Sequence, residues 1–334
     1  MQMQKYDPFK TWSYISFSSP FLPLLQPFAP SLFQSVVPAP VATAKELSTF
    51  FWLVFRDVCR VKMARLVILV AMFMLFGSSL GCLFGRWIIQ KIQDLRHPPI
   101  PLNMAPDSVD DMYDKCEEKM KDKIEKDVLQ NEKNKDTNFT GAWNKAEEYY
   151  KREWEKNNPP LMKEQIMAAH AYTLEEPPLY SEFNKAVRTQ KSVYKTKFPY
   201  HTLHFYLTMF LRTIKPKAEN CVTVFRRTKC EFSKNVLNKQ IRLGAFSSSS
   251  MGDYPDEEFG TQSCFEITTC FGANISEYSA FPKENEVLVP PYEVFKVTEI
   301  KKSSEHNKLP CKVVYKLQST KTSSNLNCAF FNKK

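Results

Sequence analysis

The stretch FPKENEVLVPP, residues 281–291, places two glutamates ahead of an apolar run and closes that run with two prolines. Alternate residues of an extended strand point to the same face, so Glu284 and Glu286 are predicted to project together, with Leu288 below them. Two carboxylates side by side at the edge of a buried strand repel each other and resist desolvation. A lone pair of this kind is usually a solvated strand end, so its meaning depends on the residues that fold beside it.

The segments around this stretch are rich in β-branched and aromatic residues, which is typical of strands. They are CVTVFRR (221–227), IRLGAF (241–246), CFEITTC (264–270), EVLVPPYEVFKVTEI (286–300) and CKVVYKLQST (311–320). Helical patterns precede them, the first of which has Ser108 placed as its N-cap. Helices followed by strands predict an α+β fold. His201 and His204, in the last helical segment, are expected to be packed or capping residues rather than metal ligands.

The charge of the chain does not indicate a nucleic-acid partner. The 334 residues carry a formal net charge of +10, but basic and acidic residues are interleaved along the sequence. Zinc-finger, RNP and helix-turn-helix signatures are absent from the sequence. The excess of positive charge instead favours solubility, or attraction to acidic surfaces or to an anionic dinucleotide.

The N-terminal region differs from the rest of the chain. Residues 1–62 are rich in Pro, Ser and Phe without a usable period, which predicts a disordered extension. Residues 66–84 carry no charge, and segment 66–90 is predicted to be a signal-anchor helix if translation starts at Met1, or a cleavable signal peptide if it starts at Met63. Both alternatives export the domain at 98–334. The C-terminus, NCAFFNKK, has no hydrophobic tail, so no GPI signal is expected.

The cysteines and the glycosylation sequons agree with export. The chain has nine cysteines, and none of them forms a CxxC pair, so disulfides are expected rather than a structural zinc site. Asn138 and Asn274 each begin an N-x-S/T sequon, which is the acceptor for N-glycosylation in secreted proteins.

Three features of the strand region come in a particular order. Arg226 lies inside an apolar strand pattern, where an arginine is costly unless it binds an anion. The run GAFSSSSMG, residues 244–252, directly continues a strand, so Ser248 and Ser250 are predicted to point inward together. The glutamate pair follows. In this order and spacing, the three features resemble the R–S–E signature of the arginine-specific mono-ADP-ribosyltransferases that act outside the cell.

The resemblance extends over roughly 101–331. The helical half is similar in LNMAPDSVDDMYDKC, AAHAYT, LYSEFNKAVR and FPYHTLHFYLT, and the catalytic half is similar in VFRR, RLGAFSSSS, FGTQSCFEITTCFGANISEYSAFP and ENEVLVPPYEVFKV. It implies the ADP-ribosyltransferase fold, in which an N-terminal helical half precedes a β-rich NAD-binding core.

The resemblance also implies roles for individual residues. Arg226 matches the arginine that holds the NAD phosphates or the nicotinamide ribose, Ser248 the serine that orients the catalytic carboxylate, and Glu286 the catalytic glutamate. Glu284 matches the residue associated with arginine as acceptor. The further NAD contacts that it implies are Tyr172, Phe259 and Ser279.

The activity implied is the transfer of ADP-ribose from NAD, with NADP also possible, to arginine side chains of proteins or to a small guanidino acceptor such as agmatine. Neither a metal nor a Gly-rich Rossmann turn is expected. The disulfides implied are Cys116–Cys328 and Cys221–Cys270, while Cys230, Cys264 and Cys311 remain without an assigned pairing.

Two positions depart from the family pattern. Arg227 follows the motif arginine where the family usually has Gly, so a bulky side chain has to point elsewhere. Ala245 stands where the family often has Gln or another polar residue. The alternative prediction is therefore a catalytically silent ectodomain of the same fold that binds a partner. A secreted, disulfide-stabilised binding module unrelated to NAD is a third hypothesis.

Overall fold

A computed structural model describes residues 99–215, 221–306 and 308–331. The extension at 1–62 and the apolar segment at 66–90 lie outside these residues. Within the described part of the chain, the helices are all too short or too polar to cross a membrane.

The first half of the domain is helical. Its helices are α1 (Glu117–Lys123), which continues through a π-helical turn (Ile124–Val128) into α2 (Leu129–Lys135), then α3 (Thr137–Glu153), α4 (Lys163–Thr173), α5 (Leu179–Thr189) and α6 (His201–Ile214). The α3 helix begins after Asp136, whose carboxylate accepts from two backbone N–H groups of the first turn. Every residue of α6 from His201 to Leu211 is buried, so this helix forms the centre of the helical layer, and His201 and His204 are packed as expected.

The first helix begins later than the sequence predicts, and Ser108 is not its N-cap. The Ser108 hydroxyl donates to the Gly244 carbonyl (2.8 Å). Asp110 forms a buried salt bridge with Arg242 (2.5 Å). These long-range contacts keep the chain out of a helical conformation until Cys116, because breaking the buried ion pair would leave an uncompensated charge inside the protein.

The second half is a single eight-stranded sheet. Its strands are β1 (Val222–Thr228), β2 (Gln240–Ile241), β3 (Ser247–Met251), β4 (Ser263–Thr269), β5 (Ala273–Asn274), β6 (Glu286–Val289), β7 (Glu293–Lys302) and β8 (Val313–Thr322). The order across the sheet is β2-β7-β8-β4-β1-β3-β6-β5. All neighbours are antiparallel except β4 and β8. The predicted α+β fold is confirmed, and the serine run forms β3, beside β1 and β6.

Two large hydrophobic cores hold these layers together. The larger core lies between the helices and the sheet, where Phe246 and Leu288 pack against side chains of α4, α5 and α6. The second core lies within the sheet region and contains Val224, Phe265 and Phe295. Strand β6 contributes to both cores, with Leu288 in the first and Val287 and Val289 in the second, so its backbone is fixed from both faces and forms a rigid base for a site.

Three disulfides link the described residues: Cys116–Cys328, Cys221–Cys270 and Cys264–Cys311. The first two are the pairings that the resemblance implies. The first closes a loop with a sequence separation of 212 residues and joins the start of the domain to its end. The third, Cys264–Cys311, links two cysteines that the sequence left without a partner.

Candidate active site

The centre of the candidate site is a contact between β3 and β6. These strands are antiparallel, with Ser250 opposite Glu286 and Ser248 opposite Leu288. Ser248 and Glu286 are therefore diagonal neighbours on one face of the sheet. The Ser248 hydroxyl donates a hydrogen bond to Oε1 of Glu286. The Glu286 side chain is only 3% exposed, so a buried carboxylate is held in one orientation by the serine.

Arg226 reaches the same serine from the other side. It lies on β1, which pairs with β3 through Phe225 and Ser250. Its guanidinium is buried and donates to the backbone carbonyl of Ser248. One serine therefore contacts the arginine through its carbonyl and the glutamate through its hydroxyl. Arg226, Ser248 and Glu286, which are far apart in the sequence, come together here.

The structure corrects the prediction that Glu284 and Glu286 share one strand. Glu284 is the last residue of a 3₁₀ turn, Pro282–Glu284, and β6 begins only at Glu286. Between them, Asn285 has left-handed backbone angles (φ 48°, ψ 45°), which asparagine tolerates better than most residues. The chain therefore bends between the two carboxylates. Glu286 is buried, whereas Glu284 is half-buried at the entrance to the strand.

Tyr172 is buried on α4 next to these residues. Its hydroxyl donates to the Phe246 carbonyl (3.2 Å) and accepts from Nδ2 of Asn184 (2.9 Å). Burial raises the pKa of Tyr172, and the nearby negative charge of Glu286 raises it further. Because its hydroxyl is engaged inside the protein, a contact of Tyr172 with NAD would be made by its ring or its backbone.

The remaining two predicted NAD contacts, Ser279 and Phe259, lie outside the strands of the sheet. Ser279, which is buried, lies in the loop before β6 and accepts from the backbone N–H of Phe281 (3.0 Å). Phe259 ends a short 3₁₀ turn and is followed by Gly260. A Cβ on Gly260 would lie 2.2 Å from the Thr228 carbonyl carbon, so only glycine allows this turn to pack against the end of β1.

A cavity of about 160 Å³ opens beside Arg226. Arg188, Arg226 and Arg242 all line it, and residues 100–103 and 105–107 form one side. Arg242 is paired with Asp110, and Asp107 also lines the cavity, so its walls carry charges of both signs with arginine in excess. Arg188 is not among the residues predicted from the sequence. The available signal is that it follows Asn184 by four residues in LYSEFNKAVR and so lies on the same face of α5.

The side chain of Arg227 points away from this arrangement. Its guanidinium donates to the carbonyl of Pro310 (2.6 Å) and lies over the ring of Tyr254, 5.6 Å from its centroid. Neighbouring residues of a strand project to opposite faces, so Arg227 does not occupy the space of Arg226. Ala245, the second departure, is buried in the large core.

The described residues contain no cluster of metal-ligand side chains. Among residues 99–215, 221–306 and 308–331, no group of three or more His, Cys, Asp or Glu side chains is placed to hold a metal ion.

Comparison with solved structures defines the class of fold. A mutant of the eukaryotic mono-ADP-ribosyltransferase ART2.2 in complex with NADH is 27% identical, with a TM-score of 0.58 over 70% of this chain and 100% of that chain. The same enzyme in another crystal is 29% identical, with a TM-score of 0.58 and the same coverage. The fold is the ADP-ribosyltransferase fold.

Sequence comparison narrows this class. The profile of the family described as NAD:arginine ADP-ribosyltransferase matches residues 102–323. Human ecto-ADP-ribosyltransferase 5 is 34% identical over 276 residues, which are 78% of this chain and 89% of that protein. Chicken erythroblast NAD(P)(+)--arginine ADP-ribosyltransferase is 32% identical over 241 residues, 70% of this chain and 77% of that protein. The chain belongs to the NAD:arginine ADP-ribosyltransferase family, and it is an enzyme whose co-substrate is NAD.

Proposed function

We propose that this enzyme transfers ADP-ribose from NAD to arginine side chains through an oxocarbenium-like ribosyl cation that Glu286 stabilises. The observation that carries the proposal is the hydrogen bond from Ser248 to Glu286, beside the buried guanidinium of Arg226. In this arrangement the negative charge of Glu286 can face the developing ribosyl cation, and the positive charge of Arg226 can face the anionic diphosphate of the dinucleotide.

The bond that breaks joins C1′ of the ribose to the nitrogen of nicotinamide. The bonding pair leaves with nicotinamide, which departs as a neutral molecule, and the positive charge develops on the ribose, as in glycoside hydrolysis. The carboxylate of Glu286 opposes this charge and accepts a hydrogen bond from the ribose 2′-hydroxyl. Arg226, with Arg188 across the cavity, binds the diphosphate.

The second bond forms between C1′ and a guanidino nitrogen of the acceptor. An arginine side chain is protonated and therefore a poor nucleophile until a base takes its proton. We assign this role to Glu284, and its half-buried position at the entrance to the strand that begins with Glu286 supports the assignment. Its carboxylate pairs with the guanidinium, orients one nitrogen towards C1′ and accepts the proton that this nitrogen loses.

The acceptors we propose are arginine-bearing proteins outside the cell, together with small guanidino compounds such as agmatine. Three disulfides are typical of an oxidising compartment, and several relatives are named as ecto-enzymes. NADP is proposed as a second donor. We propose that segment 66–84 directs export, either as part of a signal peptide whose cleavage releases the protein or as a membrane anchor.

The test is incubation of the purified protein with labelled NAD and agmatine, with transfer and NAD hydrolysis measured separately. Glu286→Gln is expected to abolish both, because the neutral amide cannot oppose the ribosyl cation. Glu148→Gln, which changes an exposed glutamate on α3, is the matched control and keeps both activities. Full activity of Glu286→Gln would refute the assignment. Binding of NAD by calorimetry without either reaction would favour the catalytically silent ectodomain.

Glu284→Gln separates the two roles of the glutamate pair. The variant is expected to keep NAD hydrolysis, which needs only water as acceptor, and to lose most of the transfer to agmatine. Equal losses of hydrolysis and transfer would argue against a separate acceptor role for Glu284.

A further inference from the structure

The loop that carries Glu284 is attached to the last turn of α4. We call residues 277–284 the acceptor loop. The backbone N–H of Ala280 donates to the Thr173 hydroxyl (2.9 Å), and the same hydroxyl donates to the carbonyl of His170 (2.9 Å). Nδ1 of His170 lies 3.2 Å from the Tyr278 carbonyl, which can only accept, so this nitrogen carries the proton. The loop is therefore attached to the C-terminal end of α4 at two points, Tyr278 and Ala280.

Aromatic packing supports the same attachment. The ring of Tyr149, on α3, stacks on His170 with centroids 3.7 Å apart and planes 5° apart. The Tyr149 hydroxyl donates to the carbonyl of Glu277 (3.1 Å), where the acceptor loop begins. The ring of Tyr278 stacks on Trp154 with centroids 4.9 Å apart. The N-terminal part of the loop thus rests on α3 as well as α4.

From Ala280 the hydrogen bonds continue to Glu284. The Phe281 N–H donates to the Ser279 hydroxyl (3.0 Å), and the Glu284 N–H donates to the Phe281 carbonyl (3.2 Å). Beyond the loop, the Asn285 carbonyl accepts from the N–H of Met251 at the end of β3 (3.0 Å). Glu284 is therefore held between two supports, which are the helix end at Thr173 and the strand end at Met251.

The two supports serve different carboxylates. Glu286 is fixed within the sheet by Ser248 and the register of β3 with β6. Glu284 precedes the strand, and its position depends on the turn that the helical half holds. Loss of the helix contact would leave the β6 ladder intact and shift only the turn, because the loop hydrogen bonds are few and lie outside that ladder.

We propose that Thr173 is a positioning residue that sets where Glu284 meets the acceptor, and so sets the partition between transfer and hydrolysis. The proposal rests on the proposed acceptor role of Glu284. The hydroxyl of Thr173 acts through the Ala280 N–H and the turn at Phe281, and it does not itself touch the reacting atoms. A misplacement of about 1 Å in a group that must align with its partner is enough to lower the rate strongly.

The experiment compares Thr173→Val with Thr173→Ser in the full chain. Valine keeps the shape but removes the acceptor for Ala280, and serine restores the hydroxyl. We expect Thr173→Val to lower kcat/KM for agmatine about tenfold while NAD hydrolysis and KM for NAD stay within about twofold. Thr173→Ser should recover most of the transfer. Thr189→Val is the matched control, because Thr189 also ends a helix and donates only to its own helix, at the Lys185 carbonyl (2.9 Å).

A second variant guards against general loss of structure. Tyr149→Phe keeps the ring that stacks on His170 and removes only the bond to Glu277, so it should change the partition in the same direction by a smaller factor. Thermal unfolding of each variant is measured alongside. Equal loss of transfer and hydrolysis in Thr173→Val, or no change in either, would overturn the proposal.

Combination with Glu284→Gln distinguishes this inference from the proposed function. If Thr173 acts through Glu284, adding Thr173→Val to Glu284→Gln should cause no further loss of transfer, because both changes remove the same effect. A further tenfold loss would overturn the inference alone. If Glu284→Gln does not alter the partition while Thr173→Val does, the acceptor role of Glu284 fails and this inference fails with it.

Discussion

Ser248 and Glu286 lie diagonally across two antiparallel strands, and the serine hydroxyl donates to the glutamate carboxylate. The carbonyl of the same serine accepts from Arg226. The position of one residue of β3 therefore fixes both charges of the candidate site. Strand β6, which begins with Glu286, is packed from both faces, so this carboxylate stands on a rigid strand.

Removal of the Ser248 hydroxyl should impair both reactions of the enzyme. In Ser248→Ala the carboxylate of Glu286 loses a charge-assisted hydrogen bond and gains rotational freedom, so kcat for NAD hydrolysis and for transfer is expected to fall together by about 10- to 100-fold. Steady-state assays with NAD and agmatine check this.

The matched control for Ser248→Ala is Ser249→Ala. Ser249 is buried, pairs with Val287 on the opposite face, and its hydroxyl makes no hydrogen bond to the described residues. Its removal should leave both activities within about twofold. An equal loss in the two variants would show that the effect comes from packing of β3 rather than from the orientation of Glu286.

Replacement of Arg227 is expected to lower the stability of the protein and to have little effect on its reaction. It joins β1 to the Pro310 carbonyl and to the ring of Tyr254. Arg227→Gly should lower the free energy of unfolding by about 1–2 kcal/mol, through loss of one hydrogen bond and one cation–π contact and through the flexibility of glycine in a strand. NAD hydrolysis should stay within about threefold, measured well below the melting temperature.

The neighbouring substitution Arg226→Lys is the contrast. A lysine keeps the charge but cannot offer the planar fork of donors, so hydrolysis should fall by at least about tenfold. If Arg227→Gly instead raised NAD hydrolysis tenfold or more, Arg227 would be obstructing the site, and the hypothesis of a decaying ectodomain would gain support.

The sequence predicts those features that depend on local pattern. An arginine inside an apolar strand and a serine run that continues a strand are visible in the sequence, because strand periodicity and burial cost act over a few residues. The bend between Glu284 and Glu286 was not predicted, although Asn285 belongs to a residue type that is depleted in strands and tolerates left-handed angles. The E-x-E spacing alone does not distinguish a strand from a turn that enters one.

Features that depend on chain topology were not predictable. Cys264 lies on β4 and Cys311 lies just before β8, and they meet because these two strands run parallel side by side. The spacing of cysteines carries no information on such a crossover. Arg188 was missed for a similar reason, since its cavity is formed by α5, by the sheet and by the segment at 100–107. Each of these contacts joins parts of the chain that no local pattern relates.

The Cys264–Cys311 disulfide is expected to contribute to stability without affecting the reaction. It closes a loop with a sequence separation of 47 residues, so replacing both cysteines by alanine should lower the free energy of unfolding by about 2–4 kcal/mol. Urea denaturation of the oxidised protein measures this, and peptide mapping without reduction should recover Cys264 linked to Cys311. An unchanged urea midpoint, or either cysteine linked to a different one, would contradict the pairing.

Burial of the neutral imidazole of His204 is expected to make the free energy of unfolding fall in acid. Its Nε2 lies 3.1 Å from the Val109 carbonyl and therefore carries the proton, so Nδ1 accepts from the Tyr113 hydroxyl (2.7 Å). Burial lowers the pKa of His204 from 6.5 to about 3. The unfolded chain thus binds a proton that the folded chain does not, and the contribution of His204 is complete above pH 6.5 and declines as the pH falls towards about 3.

A comparison with His204→Gln isolates this contribution from others that titrate nearby. Burial raises the pKa of Asp111 to about 6 and that of Glu132 to about 7, and both groups favour the folded state at lower pH, which opposes the histidine. These terms cancel in the difference between variant and wild type. The variant should be less stable at about pH 7.5, and the gap should narrow by up to about 1.4 kcal/mol per pH unit between about pH 6 and pH 4. Urea midpoints across this range measure the gap, and a gap that stayed constant would show that His204 is not held neutral in the folded protein.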